Sequence, residues 1–427
     1  MSSVSERTVK MGLKRRDFLG WTAGIGALSL LQGRGSAVKA NERAAVTVEK
    51  LEKAAKRPVL RLEGLDQPVV IESIELLRKG GDFIVRVRSK DGAEGISLTN
   101  WRASYLGDIL NRLVVPYFIG KDARQLEEHL WGVYRYRSNY KLQGIALWCP
   151  LAWVECAILD MLGRVSKKSI GELLGGVIRE EVPFYIASGR RDTTPQEEVE
   201  HLKRLIERTG AKAVKFRVGG RMSRNADSMP GRTEGLIPLS RKALGDDIAI
   251  HADANSSYDP PKAIEVGRML EDIDAVYFEE PCPFDHLEDT RRVADALTIP
   301  VAGGEQEFSQ RRFRWTILHR GVDIVQPDLQ YYGGLIRSIR VARMAAVANM
   351  PTTVHISGGF GFVYMLHFAS CTPDIGQYQE YKQGVEKYGD WFSPALRIRE
   401  GAITVPKGPG VGIADIQAVL SDARRVE

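Results

Sequence analysis

Cysteine and histidine are scarce in this chain: four and seven among 427 residues. Cys149, Cys156, Cys282 and Cys371 form no C-x-x-C pair, which excludes a zinc ribbon or a dithiol redox motif. Cys149 and Cys156 lie seven apart on an expected helix, too far for a bridge, so all four are read as core thiols. An unbroken apolar run of membrane length is also missing from the body of the chain, and no membrane span is expected in the mature protein. The formal charge of +6 is concentrated at one end: residues 1–40 hold seven Lys or Arg against two acids. The remainder is close to neutral, which argues against a nucleic-acid-binding surface. With 44% hydrophobic and 27% charged residues, wholesale disorder is excluded. The length calls for two domains, or one large barrel with an attachment.

What is present begins with Lys14-Arg15-Arg16-Asp17-Phe18-Leu19, a twin-arginine pattern. A short, glycine-containing apolar stretch follows (20–31), then Val38-Lys39-Ala40, with small residues placed for cleavage after Ala40. Residues 1–40 are therefore read as a twin-arginine export signal and the mature protein as periplasmic.

Residues 41–57 form a polar leader, flexible or helical. Residues 69–76, 83–87 and 92–97 alternate as strands, with a turn at Lys79-Gly80-Gly81-Asp82. Helical periodicity follows over 105–115, 124–136 and 150–162. Leader and α+β cap together span 41–180. From 182 short apolar strands alternate with amphipathic helices, interrupted by a Gly- and Ser-rich insertion at 219–235. Asp259 followed by Pro260 reads as a helix cap. Repeating βα units over 181–390 close into a parallel barrel. A Pro- and Gly-rich segment, 391–427, returns to the cap.

The strand ends carry the chemistry. Asp253, Glu279 and Glu305 are separated by 26 residues each time; Asp328, His355 and Glu380 follow after 23, 27 and 25. One βα unit has about that length, since ~250 residues make eight. Each residue thus has the same address on successive strands, the C-terminal mouth where barrel active sites lie. Lys215 and Arg217, two apart, share a face of an earlier strand. A carboxylate at a strand end is usually a solvated loop residue, but the regular spacing of the whole set argues against that here. Three carboxylates converging in one mouth repel unless a cation joins them, and hard oxygens suit an ion of the magnesium type. Strand alternation then turns Glu280 away from Glu279, toward a neighbouring cation.

Lys215-x-Arg217, Asp253-Ala254-Asn255, Glu279-Glu280-Pro281, Pro300-Val301-Ala302-Gly303-Gly304-Glu305, Gln326-Pro327-Asp328, His355 and Glu380 together resemble the enolase superfamily. Within it they are most similar to the mandelate racemase/muconate lactonizing enzyme branch and its acid-sugar dehydratases. The resemblance covers roughly residues 60–415. It implies a (β/α)7β modified TIM barrel under an α+β cap, bound Mg2+, a sugar-acid substrate and a homo-oligomer. It also implies metal ligation by Asp253, Glu279 and Glu305, His355 as base with Asp328 behind it, Lys215 facing the substrate carboxylate, and a protonated Glu380. Asn255 and Glu280 are expected beside the ligands. Arg78, Asn100 and Trp101 in cap loops are expected to touch substrate.

Arg217 departs from the branch's racemases, which carry Lys-x-Lys with the second lysine as a base. Arginine stays protonated and is a poor base. One base suits one-directional dehydration of an aldonate or aldarate to a 2-keto-3-deoxy acid. The alternatives are a racemase or epimerase, and an exported binding protein without catalysis.

Overall fold

The computed structural model describes residues 46–426 except Gln383; the twin-arginine segment lies outside the described residues. Two bodies are evident. The cap is a four-stranded antiparallel sheet of β1 (Ile71–Lys79), β2 (Asp82–Ser89), β3 (Glu94–Leu98) and a C-terminal strand, Arg424–Arg425, which pairs with β1. The barrel runs β4 (Glu181–Ala187), β5 (Ala213–Arg217), β6 (Ala249–Asp253), β7 (Tyr277–Glu279), β8 (Val301–Gly303) and β9 (Ile324–Val325), all parallel. Its seventh position is reduced to single bridges, Val325 to Thr352 and Asp328 to His355. β10 (Gln379–Tyr381) pairs with β4 and closes the ring. Seven of the connections carry helices, so the expected (β/α)7β architecture is what the chain adopts.

Helix Ile145–Ser166 corrects one expectation, being longer than 150–162. By length and composition it could cross a bilayer, but Glu155, Asp160 and Arg164 interrupt its apolar run. Its apolar surface is not a stripe but wraps round it, as in a helix packed on all sides, and nearly all of it is buried between cap sheet and barrel. Two inward acids bind neighbouring segments to it. Asp160 accepts from the Ile96 and Val411 amides at 2.8 Å each and from Arg164 at 3.2 Å, joining a cap strand to the returning C-terminal segment. Glu155 accepts from the Ile336 amide at 3.0 Å, at the N-terminus of barrel helix Leu335–Val347. Asp160→Ala would leave two buried amides unpaired. The expected loss is about 3 kcal/mol, read as a lower urea midpoint with an unchanged slope.

The leader is a helix, Val48–Lys56, capped by Thr47. Leu51 and Ala55, four apart, share its buried face and join the core formed by the barrel's outer helices. The leader therefore docks on the barrel, beside helix Leu335–Val347, rather than on the cap. The insertion is also shorter than 219–235, because a helix already starts at Arg232. Hydrogen bonds from the Met222 and Asn225 amides to the Asn255 and Ser257 carbonyls hold its loop against the loop after β6. The chain ends with a hairpin, Ile398–Arg399 and Ala402–Thr404, whose second strand pairs with β4, before it reaches the cap sheet. All four cysteines are free thiols.

Candidate active site

Strand register assembles the mouth. Arg217 pairs with Asp253, and Asp253 with Glu279, so three charged side chains stand in one row on the inner face. Lys215 lies one row deeper, paired with His251. Glu305 follows Gly304, whose φ of +122° is open to glycine and whose added Cβ would sit 2.8 Å from the Phe313 ring. That turn directs Glu305 to the other two acids. One oxygen from each of Asp253, Glu279 and Glu305 lies within 4.8 Å of the others, and all three residues are buried.

The donor set fits a hard divalent cation: three carboxylates, no sulfur. Glu305 Oε2 is buried and accepts no hydrogen bond, so it has coordination to spare. Glu279 is held from behind by Lys215 Nζ at 2.7 Å and by Gln326 Nε2 at 3.0 Å. Asp253 accepts from the Asn255 amide at 2.7 Å and is pressed against Arg217.

Lys215 is wholly buried, with Glu279 at 2.7 Å and Glu380 at 3.1 Å. Burial alone would lower its affinity for a proton; the two carboxylates outweigh that and push it up. The ammonium is therefore fixed. Glu380 differs from expectation. Burial favours its protonated form, but Lys215, Lys382 and His355 outweigh burial and hold the carboxyl well below the usual range. It also accepts from the Ile356 amide at 2.8 Å. The cations around Glu380 thus favour its carboxylate form, where the resemblance implied a protonated donor.

His355 Nδ1 is 2.5 Å from Asp328 Oδ2. The other Asp328 oxygen accepts the Gln330 and Tyr331 amides at 2.7 Å each and Ser357 Oγ at 3.2 Å, which fixes its direction. A proton on Nδ1 satisfies Asp328 and leaves Nε2 as the lone pair. Nε2 faces inward, 3.3 Å from Glu305 Oε2 and 2.9 Å from Lys382 Nζ.

Glu280 corrects another expectation. Its φ of +41° ends the strand alternation, and no cation pairs with it among the described residues. Its carboxyl turns toward Asn255 Nδ2, at 3.4 Å, and burial followed by the charges of Glu305 and Glu279 pushes its pKa well up. Asn255 bridges: its Nδ2 donates to Asp253 Oδ2 at 3.1 Å and its Oδ1 accepts from Arg191 at 2.7 Å. Asn100 is buried and donates to Ser357 Oγ at 3.3 Å, so it reaches the dyad through Ser357. Trp101 is 64% exposed and packs against Tyr105 and Arg102. Arg78 is not part of the mouth: it sits exposed at the β1–β2 turn and donates to the Gly80 carbonyl. His251 is buried among Tyr185 and Tyr277, donates Nδ1–H to the Val214 carbonyl, and is pulled by burial down to about 4.

Family models match both bodies. Residues 65–175 match the mandelate racemase/muconate lactonizing enzyme N-terminal domain, and 197–415 match the enolase C-terminal domain-like family. The chain belongs to the enolase superfamily, in its mandelate racemase/muconate lactonizing enzyme branch. It is 31% identical over 308 residues to an arabinonate dehydratase of Saccharolobus solfataricus, covering 71% of this chain and 79% of that one. Among solved structures, a Roseobacter denitrificans protein provisionally named a racemase superposes with TM-score 0.77 at 36% identity, covering 84% and 99% of the two chains. A Paracoccus denitrificans mandelate racemase/muconate lactonizing protein complexed with magnesium gives 0.76 at 27% identity, with the same coverage.

Three mouth residues of this superfamily member escape the sequence reading: Lys382, Arg191 and Arg221. Lys382 was visible in principle, two residues after Glu380 and so on the same strand face. The arginines sit on loops after β4 and β5, whose reach no periodicity reports.

Proposed function

We propose that the chain dehydrates an acid sugar to its 2-keto-3-deoxy acid, with Mg2+ held by Asp253, Glu279 and Glu305. The observation that carries this reading is the single oriented base: His355 backed by Asp328, with an arginine on β5 in place of a second base. When bound, the cation supplies Lewis-acid stabilisation of the charge that gathers on a carboxylate as its α-proton leaves. Lys215 adds a permanent positive charge beneath the same place. Asp328 holds the Nδ1–H tautomer, so Nε2 of His355 takes the C2 proton. Substrate entry displaces the Lys382 ammonium from the front of Nε2. The protonated Nε2 then gives its proton to the departing C3 hydroxyl, which leaves as water. The resulting enol loses its O2 proton and gains one at C3 to become the keto acid.

Epimerisation needs a second base on the opposite face, and a guanidinium, the group Arg217 places on β5, is a poor base. The named activities of relatives, dehydratases acting on arabinonate, gluconate, xylonate and mannonate, support elimination. A panel of aldonic and aldaric acids, assayed for 2-keto acid with Mg2+ and with chelator, tests the reading. A magnesium-dependent product supports it. Recovery of an epimer without keto acid would replace it with the epimerase, and binding with no chemistry would replace it with the binding protein.

We also propose export by the twin-arginine route. Replacing Arg15 and Arg16 together by Lys is expected to shift the protein from the periplasmic to the cytoplasmic fraction; an unchanged distribution refutes the signal.

A further inference from the structure

One wall of the mouth holds two guanidinium groups, of Arg191 and Arg221, without matching carboxylates. Arg191 donates Nη2 to Asn255 Oδ1 at 2.7 Å and Nε to the Gly219 carbonyl at 3.3 Å. Arg221 donates to the same Asn255 oxygen at 3.4 Å. Arg217, only 4% exposed, is paired through Nη1 with Asp253, and its Nε has no hydrogen-bond acceptor. Among the described residues neither Arg191 nor Arg221 has an ion-pair partner. Burial, then the charges of Arg217, Arg221 and Arg232, pull the Arg191 guanidinium down to about 9. A carboxylate at position 255 would have balanced this wall. The neutral amide of Asn255 instead accepts two guanidiniums and leaves their charge uncompensated. Arg221 is exposed, but Arg191 is partly buried, and a partly buried cation in such a cluster is costly unless an anion joins it; forked guanidiniums match a carboxylate.

We propose that Arg191 and Arg221 receive the second carboxylate of a dicarboxylic acid sugar, making the substrate class an aldarate rather than an aldonate. One asparagine amide separates Arg191 from the metal ligand Asp253, a separation a short polyol chain can span. The inference rests on the dehydratase reading for its reaction but not for its binding. A hydroxymethyl end would leave the wall unneutralised, and sites built for a polar group discriminate strongly against analogues lacking it.

The test compares aldaric acids with the aldonic acids of the same length and configuration, on the full chain with Mg2+. The best diacid is expected to exceed its monoacid in kcat/KM on the order of 100-fold or more. Arg191→Met is expected to cut that ratio at least about tenfold, with Arg191→Lys retaining part of it and Arg221→Met giving a second, independent reading. Calorimetric binding of the same pairs to the His355→Asn protein separates the two proposals. Arginine-dependent diacid binding without keto acid would sink the dehydratase reading and keep this one. Equal or better use of the monoacid overturns the proposal, as does a ratio that falls in Arg102→Met but survives Arg191→Met and Arg221→Met. Arg102, on the cap side of the mouth, stacks 4.5 Å from the Tyr331 ring and is the competing seat for an anion.

Discussion

His355→Asn is expected to lower keto-acid formation about 1,000-fold or more, while the folded protein keeps its metal and its thermal midpoint. General-base catalysis contributes typically ~10²–10⁴-fold. Lys382 Nζ sits 2.9 Å from Nε2, and Arg217 carries a guanidinium, which is a poor base. Asparagine keeps a donor toward Asp328, so that buried carboxylate is not left unpaired and the variant reports on catalysis rather than folding. Solvent exchange of the α-proton should fall in parallel with turnover. A variant that keeps exchange but loses product would show that His355 acts only as the acid on the leaving hydroxyl.

Removal of the cation is expected to abolish turnover, with activity restored by Mg2+. The argument is electrostatic. Asp253, Glu279 and Glu305 bring oxygens within 4.8 Å of one another in a buried site. Lys215 and Arg217 compensate Glu279 and Asp253 from one side, whereas Glu305 Oε2 has no donor. A ligand that binds only the folded chain stabilises it by about 2.7 kcal/mol at one hundred times its dissociation constant. Mg2+ should therefore raise the thermal midpoint of the wild-type chain, and Glu305→Gln should remove most of that rise along with activity. An equal rise in wild type and variant would place the ion elsewhere.

The address of the site was legible because barrel strands repeat. Asp253, Glu279, Glu305, Asp328, His355 and Glu380 recur at one βα interval, and the structure brings all six to one mouth. What escaped depended on departures from regular geometry. Glu280 was expected to turn away from Glu279 by strand alternation, but its left-handed backbone ends the strand and keeps its carboxyl near the others. The protonation of Glu380 could not be read from its own position, because it depends on Lys215 and Lys382 arriving from either side. Arg78 donates to the Gly80 carbonyl of its own turn, while Arg191 and Arg221 lay in loops that reach the mouth. The leader helix carried its apolar pair, Leu51 and Ala55, in plain view, but a helical stripe says nothing about which body it will bury against.

The central claim is that one base removes the α-proton and the β-hydroxyl then leaves. The most direct measurement is the product formed in heavy water, with Mg2+, from whichever acid sugar gives a signal in the panel. The account predicts a 2-keto-3-deoxy acid carrying solvent deuterium at C3, absent in the His355→Asn protein. Recovery of the C2 epimer, deuterated at C2 with its C3 hydroxyl intact, and no keto acid would contradict it.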